Sequence, residues 1–144
     1  MLSPMAQDMK AILQKSYYAQ KLLDADIDKR TEIRLSMEKI TPTLSDMPRG
    51  GGDDDKMCTA LIKLEMLDIK IADDVKNLTD LLVRNRLLID SLDDYEHRMI
   101  LSLRYFNHLK WAEIIRTLHT SRAKVNRQHD LALEILAKLT KVGT

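Results

Sequence analysis

Cysteine is almost missing from this chain. Cys58 stands alone, which excludes an internal disulfide and any zinc site built from several cysteines. Aromatic residues make up only 4%, with one Trp and one Phe. Sheets draw on aromatic and β-branched side chains, so a sheet-based fold is not expected. Four glycines and three prolines leave few positions that interrupt a helix. No apolar run approaches the roughly 18 residues of a membrane-crossing helix, and the N-terminus lacks a signal-peptide core. A soluble, cytoplasmic, all-α protein is expected.

What is present is helical periodicity. Met5, Met9, Ile12, Ser16, Ala19, Leu23, Asp26, Arg30, Ile33, Met37, Ile40 and Leu44 alternate at spacings of four and three. Met57, Leu61, Leu64, Asp68, Ile71, Val75, Leu78, Leu82, Asn85, Ile89 and Leu92 continue in the same rhythm. Such spacing keeps one seam of a helix against a partner. Between the two rows lies "TPTLSDMPRGGGDDDK", with two prolines and three consecutive glycines. It reads as a loop over about 42–55, with Pro42 ending or kinking the first helix and Asp53 capping the second. The expected architecture for residues 1–90 is a long antiparallel, coiled-coil-like helical hairpin. If Leu44 faces Met57, Arg30 falls near Asp68 and Ser16 near Asn85, so the polar seam positions pair with one another. Ile62, Leu67, Ile69, Leu81, Val83 and Leu87 give the hairpin more apolar surface than one seam covers, so either the C-terminal domain or a second copy should pack there, and a homodimer through the hairpin is the expectation.

Residues 91–144 read as a C-terminal three-helix bundle. Asp93 and Glu96 have the spacing of a capping box. The helix they open is expected to bury Met99, Ile100, Leu103 and Phe106. A short helix, "WAEIIRTLH", follows with Trp111, Ile114, Ile115 and Leu118 on one side. Ser121 then caps a last helix running from about Arg122 to Leu139.

The opening of that last helix is unusual. Arg122, Lys124, Asn126, Arg127, Gln128 and His129 surround a single large apolar residue, Val125, and no acid occurs between Ile114 and His129. Residues 93–144 carry 9 Lys and Arg against 6 Asp and Glu, while the whole chain is only +1. A local basic stretch in a neutral protein is the pattern of a small anion-binding face. Two short helices joined by a tight turn, with one apolar anchor in the second, make a helix-turn-helix. Trp111, Ile114, Leu118 and Val125 would form its core. Arg122, Lys124, Asn126 and Arg127 would project from the turns that reach base edges in a major groove, and these side-chain types pair with guanine, adenine and phosphate. Lys110, Arg116 and His129 are the expected phosphate contacts.

These residues carry a resemblance. Leu103-Arg104-Tyr105, Trp111-x-Glu113-Ile114 and Ser121-x-x-x-Val125 resemble region 4 of bacterial sigma factors over roughly residues 90–140. The whole chain is similar to phage and prophage proteins that join a helical hairpin carrying a Met-Pro-Arg-Gly loop to a sigma-region-4-like C-terminus. Met47-Pro48-Arg49-Gly50 stands in the expected place, and Ser121, Arg122, Val125, Arg127, His129, Ala132 and Leu133 match the second part. These proteins look related to ArpU- and RinA-type regulators of phage late genes. The resemblance implies a transcriptional regulator that binds double-stranded DNA at a promoter, with RNA polymerase as a further partner. His119 stands where the family's turn has glycine, and Ile115 where it has alanine.

Other chemistry is sparse. His97, His108, His119 and His129 lack the helical spacing of metal ligands and are expected to be surface or capping residues. The three glycines precede three Asp, which would repel phosphate. No nucleophile motif or paired-carboxylate constellation is present, so neither an enzyme nor a cofactor is expected. Two alternatives share the same elements: a phage DNA-packaging adaptor resembling a small terminase subunit, and a module that docks on RNA polymerase without reading DNA.

Overall fold

The computed structural model describes residues 1–46 and 51–142, and every regular element among them is helical. In chain order these are α1 (Pro4–Asp46), α2 (Gly51–Asp90), α3 (Tyr95–Leu101), a π-helical turn (Ser102–Phe106), α4 (Trp111–Leu118) and α5 (Arg122–Val142). None of these helices is long and apolar enough to cross a membrane. The Met47-Pro48-Arg49-Gly50 motif lies outside the described residues.

The chain divides into two compact units, and the division differs from the expected boundary at residue 90. One unit joins Met1–Tyr18 to Leu78–Thr144; the other is Ala19–Asn77. The first unit is held by one apolar cluster drawn from α1 (Ala6, Met9, Leu13), α2 (Ile89), Leu92, Leu101, Tyr105 and α5 (Ala132, Leu133, Leu136, Ala137). Ser3 ties the start of α1 to α5: its backbone N–H and its hydroxyl both donate to Glu134 Oε1, at 2.9 and 2.6 Å. These bonds hold the Glu134 carboxyl below its ordinary range. Pro4 follows as the first helical residue, where its missing N–H costs nothing.

A buried polar knot lies beside that cluster. Ser16 and Asn85 are both fully buried, and Asn85 Nδ2 donates to Ser16 Oγ at 3.0 Å, the pair expected from the register. The same amide reaches the Leu13 carbonyl at 3.1 Å and the Tyr105 carbonyl at 3.2 Å. The Tyr105 carbonyl ends the π-helical turn, whose wider hydrogen bonding is marked by Asn107 N–H donating to Ser102 O. Side chains of α1 and α2 thus satisfy a carbonyl at the end of this turn.

The π-helical turn also changes which residues face inward. Ile100 is buried as expected and Leu101 and Tyr105 join it, while Phe106 is only half-buried; Met99, which precedes the turn, is 49% exposed. An added residue per turn rotates everything after it, so a 3.6-residue extrapolation from Ile100 misplaces Phe106. The α3 cap is shifted by one from the expected Asp93. Asp94 is the cap, and its carboxylate accepts from His97 N–H at 3.0 Å.

In the second unit, Arg30 Nε lies 2.9 Å from Asp68 Oδ1, the other polar pair expected from the register. Lys70 Nζ sits 3.3 Å from Asp26 and 3.6 Å from Asp74. The expected α2 seam is wrong at three positions seven residues apart. Leu61, Asp68 and Val75 are exposed, while Ala60 and Leu67 are half-buried and Asp74 is buried. Met57, Leu64, Ile71 and Leu78 keep their inward places seven residues apart, and after each of the first three the next inward residue follows at a spacing of three rather than four; both spacings lie on one helix face. Nor does α1 stop at Pro42; it continues to Asp46, and α2 begins at Gly51, so Asp53 is inside the helix rather than its cap. Proline removes one hydrogen bond, and a long helix can propagate past that loss.

Burying Asp74 beside Asp26 has a pH consequence. Each carboxyl is the largest influence on the other, holding that of Asp26 low and pushing that of Asp74 up, with burial adding to the latter. A carboxyl raised on folding stabilises the fold when protonated, and that stability is lost as pH climbs from the unfolded value, about 3.9, through the raised one. Asp74→Asn keeps a donor toward Asp26 without the charge. Its melting temperature is expected to exceed that of the parent at pH 7, with the gain disappearing below about pH 3.5. Melting curves across that range check it; a gain independent of pH would assign the effect to something other than this carboxyl pair.

Candidate nucleic-acid interface

The α4–α5 connection is set by two residues. His119 closes α4 in the left-handed region, φ 50° and ψ 49°, with its N–H donating to Arg116 O and the Thr120 N–H to Ile115 O, both at 3.3 Å. Ser121 then opens α5: its Oγ accepts from Lys124 N–H at 3.2 Å and its carbonyl from Val125 N–H at 3.1 Å. Left-handed backbone favours glycine, and a non-glycine there carries a strain cost. His119→Gly is therefore expected to stabilise the protein by about 0.5–1 kcal/mol, and His119→Val to cost more than that. Urea unfolding reads both; a stabilising valine would contradict the left-handed turn.

Val125 is the anchor. It is 1% exposed and packs with Ile100 and Ile114, with Leu103, Leu109, Trp111, Ile115 and Leu118 half-buried around them. Ile115, where the resembled family has alanine, is half-buried against this cluster. On either side of Val125 the helix faces solvent: Arg122, Lys124, Asn126 and Arg127 are all exposed. Lys124 Nζ lies 3.7 Å from Glu96 Oε1 on α3. Both side chains are solvated, so the pair is worth at most about 1 kcal/mol and releases readily. Lys110, which precedes α4, and Arg116 on its last turn are also exposed.

His129 does not belong with them. It is 4% exposed, and both ring nitrogens are occupied: Nδ1 lies 3.0 Å from Asp130 Oδ1 and Nε2 2.6 Å from the Tyr105 hydroxyl. Because a carboxylate only accepts, Nδ1 carries the proton and Nε2 accepts from the phenol. Burial lowers the His129 pKa despite Asp130, and burial raises that of Tyr105, so ring and phenol both stay neutral. Trp111 meets the His129 ring edge-on at 4.9 Å and carries the Arg104 guanidinium 4.6 Å from its own centre. Trp111 thus braces α5 through His129 as well as rimming the Val125 cluster. A ring held on both nitrogens inside the core has none left for a phosphate.

His97 is likewise buried rather than superficial. Its Nε2 donates to Gln128 Oε1 at 2.7 Å, turning Gln128 away from solvent and pinning α3 to α5. The helical pattern gave no hint of the His97–Gln128 and Tyr105–His129 links, because their partners lie 31 and 24 residues apart. His119 does cap a helix, as expected. His108, also left-handed at φ 59°, sits with Nε2 2.8 Å from Ser16 Oγ.

The surface left by these contacts is a short basic ridge: the first two turns of α5, flanked by Lys110 and Arg116. No acid lies in the first turn of α5 to balance its helix dipole. Cations there oppose the dipole and weaken the helix slightly. No protein-family model matches the chain, and neither the curated proteins nor the solved structures contain a match to it.

Proposed function

We propose that α4, the His119 turn and α5 form a helix-turn-helix that reads double-stranded DNA, joined to a helical hairpin made by the long helices. In this reading the chain is a phage or prophage transcriptional regulator acting at a promoter. The observation that carries it is the burial of Val125 alone among exposed Arg122, Lys124, Asn126 and Arg127. That arrangement costs helix stability and returns nothing to the core. It gains a use when the exposed turns enter a groove, where Arg and Asn pair with base edges. Lys110 and Arg116 then hold phosphate. Self-association through the long helices would supply a second recognition helix for a two-fold operator.

The test begins with selection of a duplex from a random pool. Affinity for the selected and a scrambled duplex is then measured at several salt concentrations. Specific binding is expected to exceed non-specific binding by at least 10³-fold. Lys110→Ala should weaken both duplexes alike and reduce the salt slope by about one unit. If no duplex is enriched and the protein instead binds RNA polymerase, the docking alternative replaces this one. A ring-shaped oligomer would favour the packaging adaptor.

A further inference from the structure

The outward face of α2 carries a second heptad row. Ile62, Met66, Ile69, Asp73, Lys76, Asp80, Val83 and Leu87 follow one another at spacings of four and three, and all are exposed. At 100° per residue they occupy one stripe, roughly half a turn from the buried Asp74, Leu78, Asn85 and Ile89. The five apolar members are each 54–68% exposed. Among the described residues Asp73, Lys76 and Asp80 join no ion pair within the chain. A regular apolar row with unpaired charges at its centre has the form of a coiled-coil seam lacking its partner.

The row is complementary to itself in one direction only. With a second copy laid antiparallel, Ile62 meets Leu87, Met66 meets Val83, Ile69 meets Asp80, and Asp73 meets Lys76, each layer occurring twice by symmetry. Laid parallel, every residue meets its own copy, so Asp73, Lys76 and Asp80 each oppose a like charge. We infer that this face of α2 is a homodimer interface in which two α2 helices pair antiparallel, with Asp73 of each copy against Lys76 of the other. The inference rests on the self-association part of the proposed function and gives it a face, a direction and a register; it does not depend on DNA binding. The weakest layers are those that set Ile69 against Asp80.

The test is sedimentation equilibrium on the full chain with circular dichroism as a check of folding; all the sites are exposed. The parent is expected to dimerise at micromolar concentration. Lys76→Asp gathers four carboxylates at the centre and should raise the dissociation constant at least tenfold. The exchange Asp73→Lys with Lys76→Asp restores both ion pairs and should return it to near the parent value. Asp80→Leu should tighten the dimer at least tenfold. For direction, Cys58→Ser removes the native thiol, after which Met66→Cys and Val83→Cys chains should cross-link when mixed, while Met66→Cys alone should not. A monomer at all concentrations overturns both self-association and this interface. A dimer indifferent to Lys76→Asp, or one in which Met66→Cys cross-links to itself, overturns this face and register alone. DNA affinity of the monomeric variant for a single half-site reports separately on the DNA reading.

Discussion

Asn85→Ala should lower the unfolding free energy by about 2–4 kcal/mol, a large effect for a polar residue. The side chain is fully buried, and its one amide serves the carbonyls of Leu13 and Tyr105 as well as the Ser16 hydroxyl. Ser16 Oγ also lies 3.0 Å from the Tyr105 carbonyl and 3.3 Å from that of Leu13, but its one proton cannot replace both amide donors. Losing these buried hydrogen bonds costs about 1–3 kcal/mol, and the vacated volume adds to that. Asn85→Asp is the sharper variant. Its carboxylate would face two carbonyl oxygens and can donate only when protonated, so its folded pKa must rise. Stability should then be partly recovered at acid pH and lost as pH rises through that value, whereas the alanine variant should show no such dependence. Urea unfolding at pH 4 and pH 7, with Ser16→Ala to complete a double-mutant cycle, measures both terms. Equal losses for the aspartate variant at the two pH values would mean that the amide is not the donor to these carbonyls.

That knot was partly legible before any coordinates. Ser16 and Asn85 interrupt two otherwise apolar rows at matching distances from the connection, and so do Arg30 and Asp68. The buried Ser16 and Asn85 must satisfy each other, whereas Arg30 and Asp68 meet as a partly solvated ion pair. The sequence could not show what Asn85 does beyond Ser16, because the Tyr105 carbonyl is placed there by a π-helical turn. Nothing in "SLRYF" announces an extra residue per turn; the turn follows from packing on several sides at once. The same limit explains Asp74. Spacings of three and four both lie on one helix face, so period alone did not decide between Asp74 and Val75 after Ile71.

The basic ridge was legible for a different reason. Val125 was the only large apolar residue in the opening of α5, so its burial and the exposure of its neighbours follow from geometry alone. His129 was misplaced because charge and position put it with Arg127, whereas its environment is decided by Tyr105 and Asp130. A histidine reads the same in sequence whether it faces a phosphate or a phenol. The left-handed backbone at His119 was signalled only by the resemblance, in which glycine stands at that position.

Arg127→Ala and Asn126→Ala should each weaken binding to a selected duplex by about 1–3 kcal/mol, some 5- to 150-fold, when a bidentate base contact is lost. Binding to a scrambled duplex should change far less, because base contacts carry the sequence preference and phosphate contacts do not. Both residues are exposed on the first turns of α5, so melting temperatures should stay near the parent's; exposed substitutions rarely move stability beyond about 0.5 kcal/mol. Val125→Ala is the reciprocal case. At 1% exposure against Ile100 and Ile114, its truncation should cost roughly 1–3 kcal/mol of stability. It should affect DNA only through that loss, equally for both duplexes. Lys124→Ala falls between them. Its ammonium must leave Glu96 to reach a base or phosphate, so part of its contribution is already offset in the free protein. Affinity titrations on both duplexes beside melting curves separate these variants. If Arg127→Ala and Asn126→Ala bind both duplexes as the parent does, the opening of α5 does not read sequence. The ridge must then serve a partner other than a DNA groove.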